Sequence, residues 1–356
     1  MTAMQRAGEI RPDPASDADW PVIAVVVVTY RAADFITECL DSLLATRYPA
    51  LRIIVVDNRS PDGTADVVAA WGEGAAARHG VRFERIARGA ADADPTSDAI
   101  LVDAGANLGF AGGVNCGLDI GLDDAACDLF WILNPDTVVE AQTPFALARK
   151  ARSMGRFSVI GGRVLYLEDP ARVQADGGRL HKFAGTAISV NIGAAEKQHP
   201  MPSAESLDYI PGVSMLVSRE FIEVAGPMPE HYFLYFEEID WQLRRGTLPL
   251  AIEPSARVFH RAGASIGSAS TSRGASPLSI YFTCRNLPRF VRRWSPWKLP
   301  FAYLLAYYKL VRRWGVGGGR IAAAVRGLHG MSPPDGVRAV LPEEIWRSIF
   351  STSIQK

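Results

Sequence analysis

Long apolar runs are missing from this 356-residue chain: the longest, Val22 to Val28 and Phe301 to Tyr308, are too short to cross a bilayer. Cysteine is scarce. The four present, Cys39, Cys116, Cys127 and Cys284, form no Cys-x-x-Cys pair and sit beside apolar or small residues. That argues against a zinc site or a disulfide framework and for buried thiols in a reducing cytoplasm. Neither sign of charge is in excess, with 38 Lys plus Arg against 38 Asp plus Glu, so bulk charge selects no polyionic partner. The first twenty residues are polar and acidic, contain Pro12 and Pro14 and lack an apolar core. No secretion signal is expected there, and a cytoplasmic protein, soluble or surface-attached, is the reading that follows.

What is present is an ordinary globular composition, 48% apolar and 21% charged, in a chain long enough for one large α/β domain with an appendage. Residues 1–19 read as a flexible tail. Val22 to Val28 is a β-branched run, the mark of a parallel strand buried on both faces. A helix is predicted from about Asp34 to Ala45, a second buried strand over Leu51 to Val56, and a second helix over Thr64 to Trp71. This alternation predicts an open, mostly parallel sheet. Ligands of such sheets sit at the carboxyl ends of strands, here Thr29 to Arg31 and Asp57 to Ser60. Further strands are expected at Val81 to Ile86, Ala99 to Asp103 and Leu129 to Leu133, with Gly89 to Asp98 as a surface insertion. After Gly161 the segments shorten and glycine-rich turns appear, which predicts a mixed or antiparallel second half. Tyr209 to Ser218 reads as a strand, and Ser218 to Ala225 and Glu237 to Arg245 as helices.

Four motifs carry chemistry. Leu133-Asn-Pro-Asp-Thr137 ends an apolar strand, where a carboxylate can hold Mg²⁺ or Mn²⁺ against a diphosphate; a plain Asn-Pro turn is the competing reading. Asn107-Leu-Gly-Phe-Ala-Gly-Gly113 places glycines before a helix and suits a backbone passing close to a ligand, or simply a tight turn. Phe236-Glu-Glu-Ile-Asp240 opens a helix after an aromatic run. Acids there serve the helix dipole, but Glu238 beside an aromatic wall can also act as a base. His260 ends an alternating strand, Ala256-Arg-Val-Phe-His260, and gains meaning only in combination.

In this order, the pieces resemble family 2 glycosyltransferases of GT-A fold, and more closely the rhamnosyltransferase and galactofuranosyltransferase-like branch. The resemblance runs over roughly Val22 to Asn286 and adds Val-Val-Asp-Asn at Asp57, Pro-Gly at Pro211 and Arg-Asn at Arg285. It implies an α/β protein: a Rossmann-like, mostly parallel central sheet with helices on both faces, plus a C-terminal helical segment. The catalytic domain would span residues 20–262, its nucleotide half about 20–137 and its acceptor half about 138–262. A helical, basic-aromatic segment would follow at 263–330 and a tail at 331–356.

The resemblance also implies roles. Thr29, Tyr30 and Asp57 would line the base and ribose pocket, with Asn107, Gly109 and Gly112 beside the nucleotide and donor sugar. Asn134 and Asp136 stand at the Asp-x-Asp position, Asp136 and His260 holding the metal. Glu238 stands at the general base, and Glu237 and Asp240 would bind acceptor or support the base. The implied reaction is inverting transfer of a sugar from a nucleotide diphosphate, dTDP-rhamnose first and UDP-sugars next. The acceptor would be a hydroxyl of a glycan or lipid-linked glycan, in cell-surface polysaccharide synthesis. Three residues depart from the usual pattern: Asn134 for the first Asp, Glu238 for Asp, and Arg31 for Asn. No Gln-x-x-Arg-Trp is present, which disfavours a processive synthase.

Other classes share parts of this inventory. A sugar-nucleotide-binding protein without catalysis would explain Asn134 and Glu238, but Asp136, Glu237, Asp240 and His260 are all retained. A glycoside hydrolase also needs two carboxylates yet not the nucleotide-side motifs. A sugar-nucleotide pyrophosphorylase would carry a glycine- and lysine-rich amino-terminal loop. Finally, Ile280 to Arg326 holds ten Lys or Arg and no Asp or Glu, interleaved with aromatics. That pattern suits the anionic inner face of a membrane or a packed helical subdomain with a basic face. No nucleic-acid motif accompanies it.

Overall fold

The computed structural model describes residues 20–90, 93–261, 275–312, 318–339, 341, 343, 346 and 347. The chain runs β1 (Val22–Thr29), α1 (Ile36–Ala45), β2 (Leu51–Asp57), α2 (Thr64–His79), β3 (Phe83–Ala87), β4 (Ala99–Asp103), α3 (Gly109–Asp123), β5 (Cys127–Leu133), β6 (Thr137–Val139) and α4 (Thr143–Met154). It continues through β7 (Val159–Tyr166), β8 (Val173–Ala175), β9 (Gly178–Leu180), β10 (Ala187–Ser189), β11 (Ser214–Ser218), α5 (Arg219–Ala225), α6 (Glu237–Leu243) and β12 (Leu250–His260). The C-terminal helices are α7 (Pro277–Trp294), α8 (Leu299–Arg312), α9 (Gly318–Leu328) and α10 (Asp335–Arg338). Among the described residues none is long and apolar enough to cross a membrane. The expected boundary at 262/263 and the amino-terminal tail lie outside the described residues, as does half of the tail expected after residue 330.

β1 shows how the sequence makes a two-faced core. Its β-branched side chains favour extended backbone, and successive residues point to opposite faces. Ile23, Val25 and Val27 join α1, α2 and α4 in one cluster, while Ala24, Val26 and Val28 join α3 and α5 in another. Ten strands form one sheet in the order β3-β4-β2-β1-β5-β11-β7-β12-β6, with β8 on β7. The half up to β5 is parallel. β11 runs antiparallel to both β5 and β7, and β12 is parallel to β7 but antiparallel to β6. Helices on both faces and a mixed second half agree with the sequence reading. Strand order reverses at β1, between β2 and β5, and such a switch point opens a crevice at the carboxyl ends.

Two elements differ from the sequence reading. The strand expected from Tyr209 begins only at Ser214. Pro211 has no N–H to offer a ladder, and the Gln242 amide satisfies Ile210 instead, accepting from its N–H and donating to its carbonyl, both at 2.7 Å. The glycine motif is also not a loop. Gly109, Gly113, Gly117 and Gly121 recur every four residues along α3; the last three face β1 and its neighbours, and Gly109 faces Phe233. A Cβ at Gly113 would lie 2.5 Å from Val28 Cγ1, and one at Gly117 would lie 2.5 Å from Val26 Cγ1. These glycines let a helix lie against the sheet at backbone range.

A helical Gly→Ala change in the open gains about 1 kcal/mol in propensity. At Gly117 the clash decides the sign: Gly117→Ala should destabilise by about 1–3 kcal/mol, read from urea unfolding, whereas Gly319→Ala, with nothing within 4 Å of its Cβ, should not.

Candidate active site

The crevice beside β1 is a cavity of about 310 Å³ lined by Tyr30, Arg31, Asn107, Gly109, Asn134 and Phe233, among others. Tyr30 and Arg31 follow β1, and the Arg31 guanidinium lies 5.6 Å from the Tyr30 ring centroid. Arg31 has φ +57°, a left-handed position in which Asn is the least strained non-glycine residue. Thr29 and Asp57 do not line the cavity: both are buried, and Thr29 Oγ1 donates to Asp57 Oδ1 at 3.0 Å. Asp57 Oδ2 accepts from Ser60 N at 2.9 Å, so the pair fixes the turn behind the crevice. Gly109, at φ +72°, takes a hydrogen bond from its N–H to Asn107 Oδ1 at 3.0 Å. Gly112, expected beside the donor, has Leu108 and Glu230 nearest to where a Cβ would stand and does not line this cavity.

Asn134 connects the crevice to an acid–imidazole pair. β12 pairs with β6 so that His260 meets Thr137, and this ladder brings His260 Nε2 to 3.1 Å from Asp136 Oδ1. Asn134 Nδ2 lies 3.4 Å from the same nitrogen. On the other side of the ring, His260 Nδ1 donates to Gln174 Oε1 at 2.6 Å. Asp136 and His260 are both buried. An orienting partner on the far ring nitrogen is what a metal-ligating histidine needs, and Gln174, on β8, was not picked out in the sequence because nothing local marks it. Among the described residues no group of three or more His, Cys, Asp or Glu forms a closed cage. Two oxygen- and nitrogen-donor ligands fit a divalent cation that completes its shell with phosphate oxygens and water.

The acids of α6 separate in role. Glu238 is half-buried, and burial pushes its carboxyl up to about 7, although backbone N–H groups at the helix start oppose the shift. Gly212 stands between it and the cavity-lining Phe110: a Cβ there would be 3.6 Å from Glu238 Cγ and 3.4 Å from Phe110. Glu237 is 2% exposed, and its Oε2 has no hydrogen-bond partner among the described residues. Burial, with Glu238 beside it, raises its carboxyl well above the usual range. Asp240 is fully buried; it accepts from Tyr232 Oη at 2.7 Å and pairs with Arg244 at 2.7 Å and Arg293 at 3.4 Å. Neither Glu237 nor Asp240 lines the crevice beside β1. Of the two roles expected of them, acceptor contact or support of Glu238, cations and a phenol on the Asp240 carboxylate favour support.

The loop that precedes α6 is strained. Phe233, Tyr235 and Phe236 have φ of +67°, +69° and +77°, where each non-glycine residue costs about 1–3 kcal/mol. Asn286 holds it. From the interior of α7, its Nδ2 donates to the carbonyls of Tyr232 (3.0 Å), Leu234 (2.8 Å) and Tyr235 (3.1 Å). Phe110 N donates to Phe233 O at 3.1 Å, so the start of α3 grips the same loop. Asn115 clasps the stretch just before, bonding Met228 through both its N–H and its carbonyl. Asn115 and Asn286 sit inside motifs legible in the sequence, but their role as backbone clasps was not.

Asn286→Ala should leave three strained carbonyls without their donor and cost about 2–4 kcal/mol of stability. Thermal and urea unfolding measure it. Asn286→Asp, which cannot donate when ionised, should be no better.

Residues 24–188 match the family described as Glycosyl transferase family 2. An N-acetylglucosaminyl-diphospho-decaprenol L-rhamnosyltransferase of Mycobacterium tuberculosis is 26% identical over 266 residues, 69% of this chain and 78% of that protein. A low-salt glycan biosynthesis hexosyltransferase of Haloferax volcanii is 28% identical over 149 residues, 41% of this chain; the chain spans under half of that relative, 46%. Among solved structures, GalNAc-T7 with UDP, GalNAc and Mn²⁺ is similar in fold, with a TM-score of 0.54 at 13% identity over 95% of this chain and 58% of that one. The doubly covered sheet, its switch-point crevice and these matches identify residues 24–188 as a family 2 glycosyltransferase domain and the fold as GT-A.

Proposed function

We propose that the chain transfers a sugar from a nucleotide diphosphate donor to an acceptor hydroxyl with inversion, through the crevice beside β1. The observation that carries this reading is the Asp136–His260 pair, an acid and an oriented imidazole 3.1 Å apart at the strand ends, joined to the crevice by Asn134. dTDP-rhamnose is the favoured donor and a UDP-sugar the next; the similarity to a rhamnosyltransferase supports that order. A glycan or lipid-linked glycan hydroxyl is the acceptor.

The roles follow from chemistry. Tyr30 and Asn107 border the space for base and ribose, held from behind by Thr29 and Asp57. Arg31 places a cation at the cavity wall for phosphate oxygens. Asp136 and His260 would hold Mg²⁺ or Mn²⁺, with Asn134 beside them; a cation bound there would supply neutralisation of the charge that develops on the leaving nucleotide diphosphate. Glu238 takes the proton from the acceptor oxygen as that oxygen attacks the anomeric carbon, and one displacement inverts the centre. Its raised carboxyl suits a base working near neutral pH. The longer Glu reaches further than Asp, which matches its place behind Gly212 and Phe110.

Two expectations follow. EDTA should abolish transfer, Mn²⁺ or Mg²⁺ should restore it, and Asp136→Ala should be nearly inactive even with added metal; full activity after chelation rejects the metal reading. Glu238→Gln should lower transfer about 10²–10⁴-fold while donor binding, followed by thermal shift with nucleotide sugars and Mn²⁺, persists. Because the active form is the carboxylate and its pKa lies at about 7, kcat/KM should fall as pH drops through 7 and level off above it. A near-normal Glu238→Gln enzyme beside an inactive Asp240→Asn would move the base to Asp240.

A further inference from the structure

The basic-aromatic segment divides when it folds. Tyr281, Phe282 and Phe290 are fully buried, Arg285 is 3% exposed, and Arg293 pairs with Asp240. These residues belong to the interior, as the packed-subdomain alternative of the sequence reading has it; Arg313 and Trp314 lie outside the described residues. α8 is different. It packs inward through Ala302 and Ala306, against Leu287, Phe290 and Leu328. On the opposite side Trp297, Phe301, Leu304, Tyr308 and Val311 are 70%, 55%, 69%, 58% and 68% exposed. Their spacing of four, three, four and three residues is that of one continuous helix face. A row of five large apolar side chains in water is far from an isolated surface Leu and marks a surface that meets something apolar.

We infer that this outer face of α8 docks on a bilayer bearing anionic lipid. Charge complementarity favours that occupant: between Ile280 and Arg326 there is no acid, Arg312 continues the outer row four residues after Tyr308, and Lys298 and Lys309 add cations to the same helix. Lys309 and Arg320 form no ion pair among the described residues. Trp297 at one end of the stripe and Tyr308 near the other suit the headgroup boundary. Behind α8 lies a cavity of about 470 Å³, mostly apolar, lined by Phe236, Thr283, Leu287, Ala306, Lys309 and Arg320. It reaches from the helix that faces the bilayer to the residue that precedes Glu237. Docking in this pose sets the strained loop and α6 close to the membrane plane. The inference rests on α8 alone and not on the transfer chemistry, so the two readings fail separately.

Sedimentation of the full chain with vesicles tests it. At low salt the protein should bind vesicles containing phosphatidylglycerol and not pure phosphatidylcholine, and salt should release it. Phe301→Ser with Leu304→Ser should weaken binding at least about tenfold. Lys309→Glu with Arg312→Glu should weaken it about 30-fold or more, since each basic residue near an anionic surface contributes about fivefold. All four positions are exposed, so thermal unfolding should match the parent. Failure of the parent chain to sediment with anionic vesicles overturns the inference, as does undiminished binding by the folded Phe301→Ser, Leu304→Ser variant or equal binding to neutral vesicles. A solution dimer that the same double change dissociates, without vesicle binding, assigns the face to a second copy and overturns it too.

Discussion

The donation of one side-chain amide into a strained loop is the constraint on which the catalytic end of this molecule depends. Phe233, Tyr235 and Phe236 hold left-handed backbone that nothing in their own side chains favours, and three carbonyls of the loop converge on Asn286 Nδ2. The cost of the loop is local, and the compensation comes from a helix about fifty residues later in the chain. Backbone strain of this kind persists only when its surroundings over-determine it. Here they do so from two sides, since the Phe110 N–H at the start of α3 binds Phe233 O. Glu237 and Glu238 follow directly, so the direction of α6, and with it the placing of Glu238, is set by contacts outside α6.

The same device recurs around the crevice. Asn58 Nδ2 donates to Gly109 O, Asn115 clasps Met228, and Gln242 clasps Ile210. Buried amides present a donor and an acceptor together, which lets one side chain replace the ladder partner that an irregular segment lacks. The sheet supplies the fixed frame through its switch point at β1, and the amides tie the loops to it. The glycine stripe of α3 belongs to that frame: without a backbone-range approach of α3 to β1, Gly109 O would not reach Asn58, and Phe110 N would not reach Phe233.

Charge follows the same economy of position. Asp240 is fully buried beside Arg244, Arg293 and the Tyr232 hydroxyl, so it anchors α6 to the C-terminal helices. Glu238, two residues earlier and on another side of the helix, meets no cation among the described residues, and burial raises its carboxyl to about 7. Two acids in one turn thus part in behaviour because one is paired and the other is only desolvated.

Period and composition in the sequence determined the alternation of strands and helices, the parallel first half, and the strand ends where a ligand would meet Tyr30, Asn107 and Asn134. Those features are local: a β-branched run or a 3.6-residue period needs no partner to be recognised. The tertiary structure decided the rest. The i, i+4 spacing of Gly109, Gly113, Gly117 and Gly121 was present in the sequence, but its meaning required knowing that α3 lies on β1. That Gln174 orients His260, that Glu237 and Asp240 turn inward, and that α7 both clamps the loop and walls the crevice could not be read locally. Each depends on contacts between residues far apart in sequence, whose pairing is fixed by strand order and helix packing and not by any local pattern.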